Sequence, residues 1–162
     1  MNWLRRLAVI AGVLALPIAG CNHVGGIYRA TTGHLGADIT PKNTWLARGD
    51  LQNPLAAIDD DMATAARSDY DYSGAAITID LRRQCVFQTV VVDHGAGEHG
   101  HASTVAVATS ADGKNFIDRH VSPGKRRVTI LCLPKPVLAR YLRLRVTAPG
   151  VQPWNIAEIY LQ

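Results

Sequence analysis

Residues that could do chemistry in this 162-residue chain gather in three short stretches, with Trp154 apart from them. His94-Gly95-Ala96-Gly97-Glu98-His99-Gly100-His101 brings three imidazoles and one carboxylate together within eight residues. Such a set could ligate zinc or another transition metal. The spacing fits no standard metal motif, however, and the interleaved glycines give little support for a preorganised centre. A strand-connecting rim loop is the better fit, either a plain solvated loop or one whose His94, His99 and His101 hydrogen-bond sugar hydroxyls, because imidazole supplies both donor and acceptor. Asp59-Asp60-Asp61 sets three carboxylates side by side. This is either a hard-oxygen turn suited to calcium or a solvated acidic turn in which Asp59 caps a short helix. Tyr70, Tyr72 and Trp154 sit among polar neighbours, where an aromatic face can stack on a pyranose or close the end of a core.

What is missing narrows the function. The sequence has no Gly-x-Ser-x-Gly, no phosphate-cradling glycine loop and no dinucleotide fingerprint. No carboxylate pair stands out as an acid–base couple, so the chain is expected not to be an enzyme.

The elements that must carry these residues read as strands. Ile77, Ile79 and Leu81 alternate with polar residues, and so do Val105 and Val107, and Leu142, Leu144 and Val146. Val86 to Val92 is β-branched and apolar. Val128, Ile130 and Cys132 alternate with Thr129, Leu131 and Leu133, and Ile156 to Leu161 makes a last short strand. Breaks fall at Gly95–Gly100, Ala111–Asn115, Ser122–Gly124 and Ala148–Gly150. Period-two patterning broken by turn residues at even spacing predicts an all-β, antiparallel β-sandwich or jelly roll. Pro54 to Ala66 could hold a short helical turn.

The amino terminus is organised differently. Arg5 and Arg6 precede an apolar run, Leu7 to Ala19, which is the pattern of a secretory signal. The run is shorter than the ~20 residues of a membrane span. Leu16-Pro17-Ile18-Ala19-Gly20-Cys21 resembles the bacterial lipobox. That resemblance implies cleavage before Cys21, lipid on its sulfur and attachment to a membrane. Asn22, where an Asp often implies inner-membrane retention, leans towards the outer membrane. The expected organisation is residues 1–20 as signal, 21–40 as a tether and 41–162 as one folded domain. Arg5 and Arg6 leave with the signal, so 17 Lys and Arg fall to 15 against 13 acids, a mature charge of +2. That balance, with Lys125-Arg126-Arg127 in a turn, predicts no nucleic-acid partner. With Cys21 lipidated, Cys85 and Cys132 remain as a pair in an oxidising compartment, where a disulfide or two buried thiols are the alternatives. Cys132 shares a strand face with Val128 and Ile130, which makes a buried bridge to Cys85 reasonable.

Four segments resemble the discoidin domain, also called the factor V/VIII type C domain, with its galactose-binding-like jelly roll. These are Ala57-Ile58-Asp59-Asp60-Asp61-Met62-Ala63-Thr64, Ala76-Ile77-Thr78-Ile79-Asp80-Leu81, Ser110-Ala111-Asp112-Gly113-Lys114-Asn115-Phe116, and Ala139 to Leu144 followed by Trp154 to Ile159. The chain departs from the family at Asp60 (usually Gly), Ala66 (usually Trp) and Phe116 (usually Trp). The resemblance implies a non-catalytic module of a lipid-anchored envelope protein that binds glycan or envelope polysaccharide. The second reading is protein docking or a structural envelope role. It also implies a structural calcium on Asp59, Asp61, Thr64 and Glu158.

Overall fold

The computed structural model describes residues 38–69, 72–96 and 99–162. Cys21, the signal and nearly all of the tether lie outside them, as do Tyr70, Gly97 and Glu98. Among the described residues there are eight strands: β1 (Leu46–Gly49), β2 (Ala66–Arg67), β3 (Ala76–Asp93), β4 (Thr104–Ser110), β5 (Ile117–Pro123), β6 (Val128–Ala148), β7 (Asn155–Ile156) and β8 (Glu158–Leu161). All pairings are antiparallel, in the order β1-β3-β6-β4-β5, with β8 also on β3 and a separate β2-β7 ladder. The expected helical segment is a single 3₁₀ turn, Pro54–Ala57, with proline at its start.

β3 and β6 are too long to stay straight. Eighteen residues at about 3.3 Å each would reach about 60 Å. A domain of this size has a radius of gyration of only about 14 Å. Both strands therefore bend at register breaks, between Asp80 and Cys85 and again between Phe87 and Thr89. Arg82 turns the first corner with φ 70°. Strands that pass from one layer to the next through bulges are a regular way of making a sandwich corner. The first half of β3 and the second half of β6 form one layer with β1, β4 and β5, while their other halves form the second layer with β8. The fold is thus the expected antiparallel β-sandwich.

Between the layers lies an apolar cluster that includes Trp45, Ile77, Ile79, Leu81, Phe87, Leu131, Leu142, Leu144, Trp154 and Ile159. Burying each large side chain of this kind contributes about 1.5–3 kcal/mol. The register breaks decide which residues join. In β6 the core face is Thr129, Leu131 and Leu133, whereas Ile130 is 55% exposed. Cys132 lies on the outward face with Ile130, opposite Thr89, whereas Cys85 lies on the core face opposite Ala139. The expected Cys85–Cys132 bridge is therefore corrected: Cys85 is a buried free thiol. Thr40, placed with the tether by sequence, is also part of this body. Its hydroxyl donates to the Leu81 carbonyl (2.6 Å), and the Trp45 indole donates to the Thr40 carbonyl (3.0 Å).

Candidate functional site

At one end of the sandwich, loops enclose a cavity of about 680 Å³. Its floor comes from three residues that are distant in sequence. Gln52 is bridged to Arg67, and Arg67 is opposite Asn155 in the β2–β7 ladder. Directly opposed residues of antiparallel pairs point to the same face, so an amide, a guanidinium and a second amide stand in one row. All three line the cavity. Arg67 Nε donates to Asn155 Oδ1 at 2.8 Å, and Gln52 Nε2 donates to Asp69 Oδ1 at 3.0 Å. These bonds hold the row, and Gln52 and Arg67 are both exposed. Met62, Thr64 and Pro153 add walls of mixed polarity.

His94 holds one side of this floor in place. It is 1% exposed, and both ring nitrogens are engaged: Nδ1 with the Asn155 carbonyl (2.7 Å) and Nε2 with the Thr129 hydroxyl (2.8 Å). The Asn155 amide donates back to the His94 carbonyl at 2.7 Å. Burial pushes the His94 pKa below its ordinary 6.5, the Asn155 bond opposing that shift. Gly100 accepts from the Asn155 backbone N–H through its carbonyl (2.8 Å) and packs so closely that a Cβ there would stand 2.8 Å from Asn155 Cβ.

The residues singled out from sequence separate into two groups. His94, Tyr72 and Trp154 are corrected from ligand contacts to internal supports, being 1%, 3% and 0% exposed. Tyr72 accepts from Gly150 N (2.6 Å) and donates to the Gln152 carbonyl (2.7 Å), fixing the turn that leads to the cavity wall. Trp154 fills the core beneath the row. His99 is exposed on the loop whose Gly95, Ala96 and Gly100 line the cavity, and His101 is half-buried with its ring 6.2 Å from that of His94. Tyr70 lies outside the described residues. Gln52, Arg67 and Asn155 escaped the sequence reading, because only the strand pairing makes them neighbours. A basic residue in a two-residue strand carries no local signal of its own.

The acidic turn borders the same cavity through Thr64. Asp59 accepts from the Thr64 hydroxyl (2.8 Å) and the Asp61 amide (3.0 Å), and the Thr64 bond leads in holding its pKa below the ordinary carboxylate value. Asp61 accepts from Ala63 N at 2.9 Å. Glu158 is fully buried and bonded to the Lys42 ammonium, which also bonds Asp60 of the turn. Among the described residues, no three His, Cys, Asp or Glu side chains converge as a metal cage.

The sequence matches the F5/8 type C domain family over residues 39–159. No curated protein sequence matches the chain. Among solved structures, CpGH89CBM32-5 from Clostridium perfringens, in complex with GalNAc-β-1,3-galactose, superposes with a TM-score of 0.67 at 17% identity, over 75% of this chain and 96% of that one. The family 32 CBM from C. perfringens NanJ, in complex with galactose, gives 0.64 at 14% identity, over 75% and 95%. The CBM32 of AlyQ, in complex with 4,5-unsaturated mannuronic acid, gives 0.61 at 16% identity, over 72% and 93%.

Proposed function

Since the chain belongs to the F5/8 type C domain family, we propose that it is a non-catalytic carbohydrate-binding module and that its sugar sits in the cavity floored by Gln52, Arg67 and Asn155. The carrying observation is that row. It aligns planar donors and acceptors in a recess of about 680 Å³, within the range of ligand pockets, roughly 300–1,000 Å³. Sugar hydroxyls demand both kinds of partner, and a guanidinium fork held by a neutral amide keeps its remaining donors for the ligand. The ligands of structures sharing this fold, galactose, GalNAc-β-1,3-galactose and an unsaturated mannuronic acid, support the class.

The sequence around Cys21 supports the wider setting: an exported module, lipid-anchored at the outer membrane, presenting the cavity to glycan or envelope polysaccharide. Many copies on one membrane would offset the weakness of a single sugar site through multivalency.

The test is a glycan array of neutral and uronic-acid sugars, probed with the purified protein and with Arg67→Ala. A reproducible hit that Arg67→Ala weakens by about 10-fold or more is expected, since a hydrogen bond from a charged group contributes about 1.5–3 kcal/mol. The variant should melt with the parent. A hit indifferent to Arg67 would remove the cavity from the proposal. A blank array with folded protein would move the function to protein docking, the next measurement being crosslinking in the native envelope.

A further inference from the structure

The family resemblance assigns calcium to Asp59, Asp61, Thr64 and Glu158, yet these residues do not form a common donor set. Asp59 accepts one hydrogen bond on each oxygen, from Asp61 N and the Thr64 hydroxyl, and Asp61 accepts from Ala63 N on one oxygen. Glu158 is fully buried, and a cation already stands against it. Lys42, at the start of the 3₁₀ turn Lys42–Thr44, bonds Glu158 Oε2 and Asp60 Oδ1, the latter at 2.9 Å. Its ammonium also lies 4.4 Å from the centre of the Tyr160 ring, and its side chain is only 13% exposed. Two carboxylates and an aromatic face thus surround one positive charge on three sides. Asp60 occupies the position where the family usually has glycine. The left-handed backbone at Asp60 (φ 62°) is one that glycine adopts freely, so the turn is retained while a carboxylate is added.

We propose that the Lys42 ammonium takes the place of the structural metal: a tethered cation that joins the amino-terminal segment, the acidic turn and β8, and makes the domain independent of calcium. A divalent ion on Glu158 would have to share its oxygens with an ammonium already within bonding distance, and like charges at that separation repel strongly in a buried site. Among the described residues the Glu158 Oε1 atom has no hydrogen-bond partner, and Lys42 is the cation bonded to this buried carboxylate. An uncompensated buried charge is strongly destabilising. The inference concerns how the cavity wall at Met62–Thr64 is braced and stands whether or not the cavity binds sugar.

The experiment is thermal melting of the purified protein in EDTA and in calcium chloride, with metal analysis of the same sample. Equal midpoints and no bound calcium are expected. A midpoint that falls in EDTA, or one calcium per chain, would overturn the proposal. Lys42→Met should lower the midpoint by about 10 °C or more. Should that variant fail to fold, Lys42→Met/Glu158→Gln decides the matter. Recovery of a folded protein by removing both charges supports the pair, and a double variant no better than the single one overturns it.

Discussion

The Arg140 guanidinium clasps Asp80 through two parallel hydrogen bonds, Nε to Oδ1 at 2.8 Å and Nη2 to Oδ2 at 2.9 Å. Asp80 also accepts from Arg82 N at 2.8 Å, so one carboxylate ties β6 to the corner of β3. Arg143 and Arg145, further along β6, do other things. Arg143 bonds the Thr78 hydroxyl (3.1 Å) and stacks 3.6 Å over the Phe116 ring, while Arg145 is exposed.

The clasp predicts an acid-sensitive corner. Arg140, chiefly, holds the Asp80 pKa below its ordinary 3.8. A carboxylate depressed in the folded state contributes stability that is present above its unfolded pKa and lost as pH falls through the folded one. Urea midpoints should therefore fall below about pH 4. Asp80→Asn should lower stability at neutral pH and flatten this acid limb. An unchanged limb would assign it to other carboxylates.

His94 predicts a second pH dependence with a different window. Its folded pKa is depressed by burial, so below about pH 6.5 the unfolded chain takes up the proton first. Stability is complete above that pH and declines as pH falls towards the folded value. His94→Ala should cost about 2–4 kcal/mol, because Thr129 and Asn155 lose buried partners, and should weaken sugar binding as the cavity floor loosens. Denaturant melts at pH 5 and 8, beside the parent, test both points.

Gly100 predicts a coupling between packing and ligand affinity. A methyl group at this position would press on Asn155 Cβ at 2.8 Å, and Asn155 holds Arg67. Gly100→Ala should cost about 1–3 kcal/mol of stability, as overpacking does. It should also reduce binding of whichever sugar the array identifies. Affinity left intact in a destabilised variant would show that the row tolerates displacement.

Cys85 predicts chemical silence. It is 0% exposed in the core, so an alkylating reagent should label Cys85 only as fast as the domain opens. Peptide mapping after timed labelling, with and without urea, measures this. Rapid labelling of Cys85 in native buffer would contradict its placement.

Much of the sandwich was legible because alternating hydrophobicity is a local signal. Ile77, Ile79 and Leu81, and likewise Leu142, Leu144 and Val146, face the core as their pattern requires. Alternation survives only as far as the next bulge, however. In β6 it gives Val128, Ile130 and Cys132 a common face but not which face is inside, and the cysteine pairing failed on that choice. β5 carried no clear pattern, and as a strand that among the described residues pairs only with β4 it leaves Ile117 and Val121 more than half exposed. The functional end was less legible still. His94 lies in a glycine-rich stretch that reads as open loop, yet its partners Thr129 and Asn155 are 35 and 61 residues further on. The same long range separates Gln52, Arg67 and Asn155, so their alignment is a property of strand pairing and not of any segment.

The two long strands have one more consequence. Because β3 and β6 each run through both layers, neither layer owns its own framework, and separating them would mean tearing the same two strands in the middle. The domain should therefore open all at once, with amides in the two halves of β3 exchanging their hydrogens in a single cooperative event. A sugar held at the loop end would then slow exchange along the whole length of both strands.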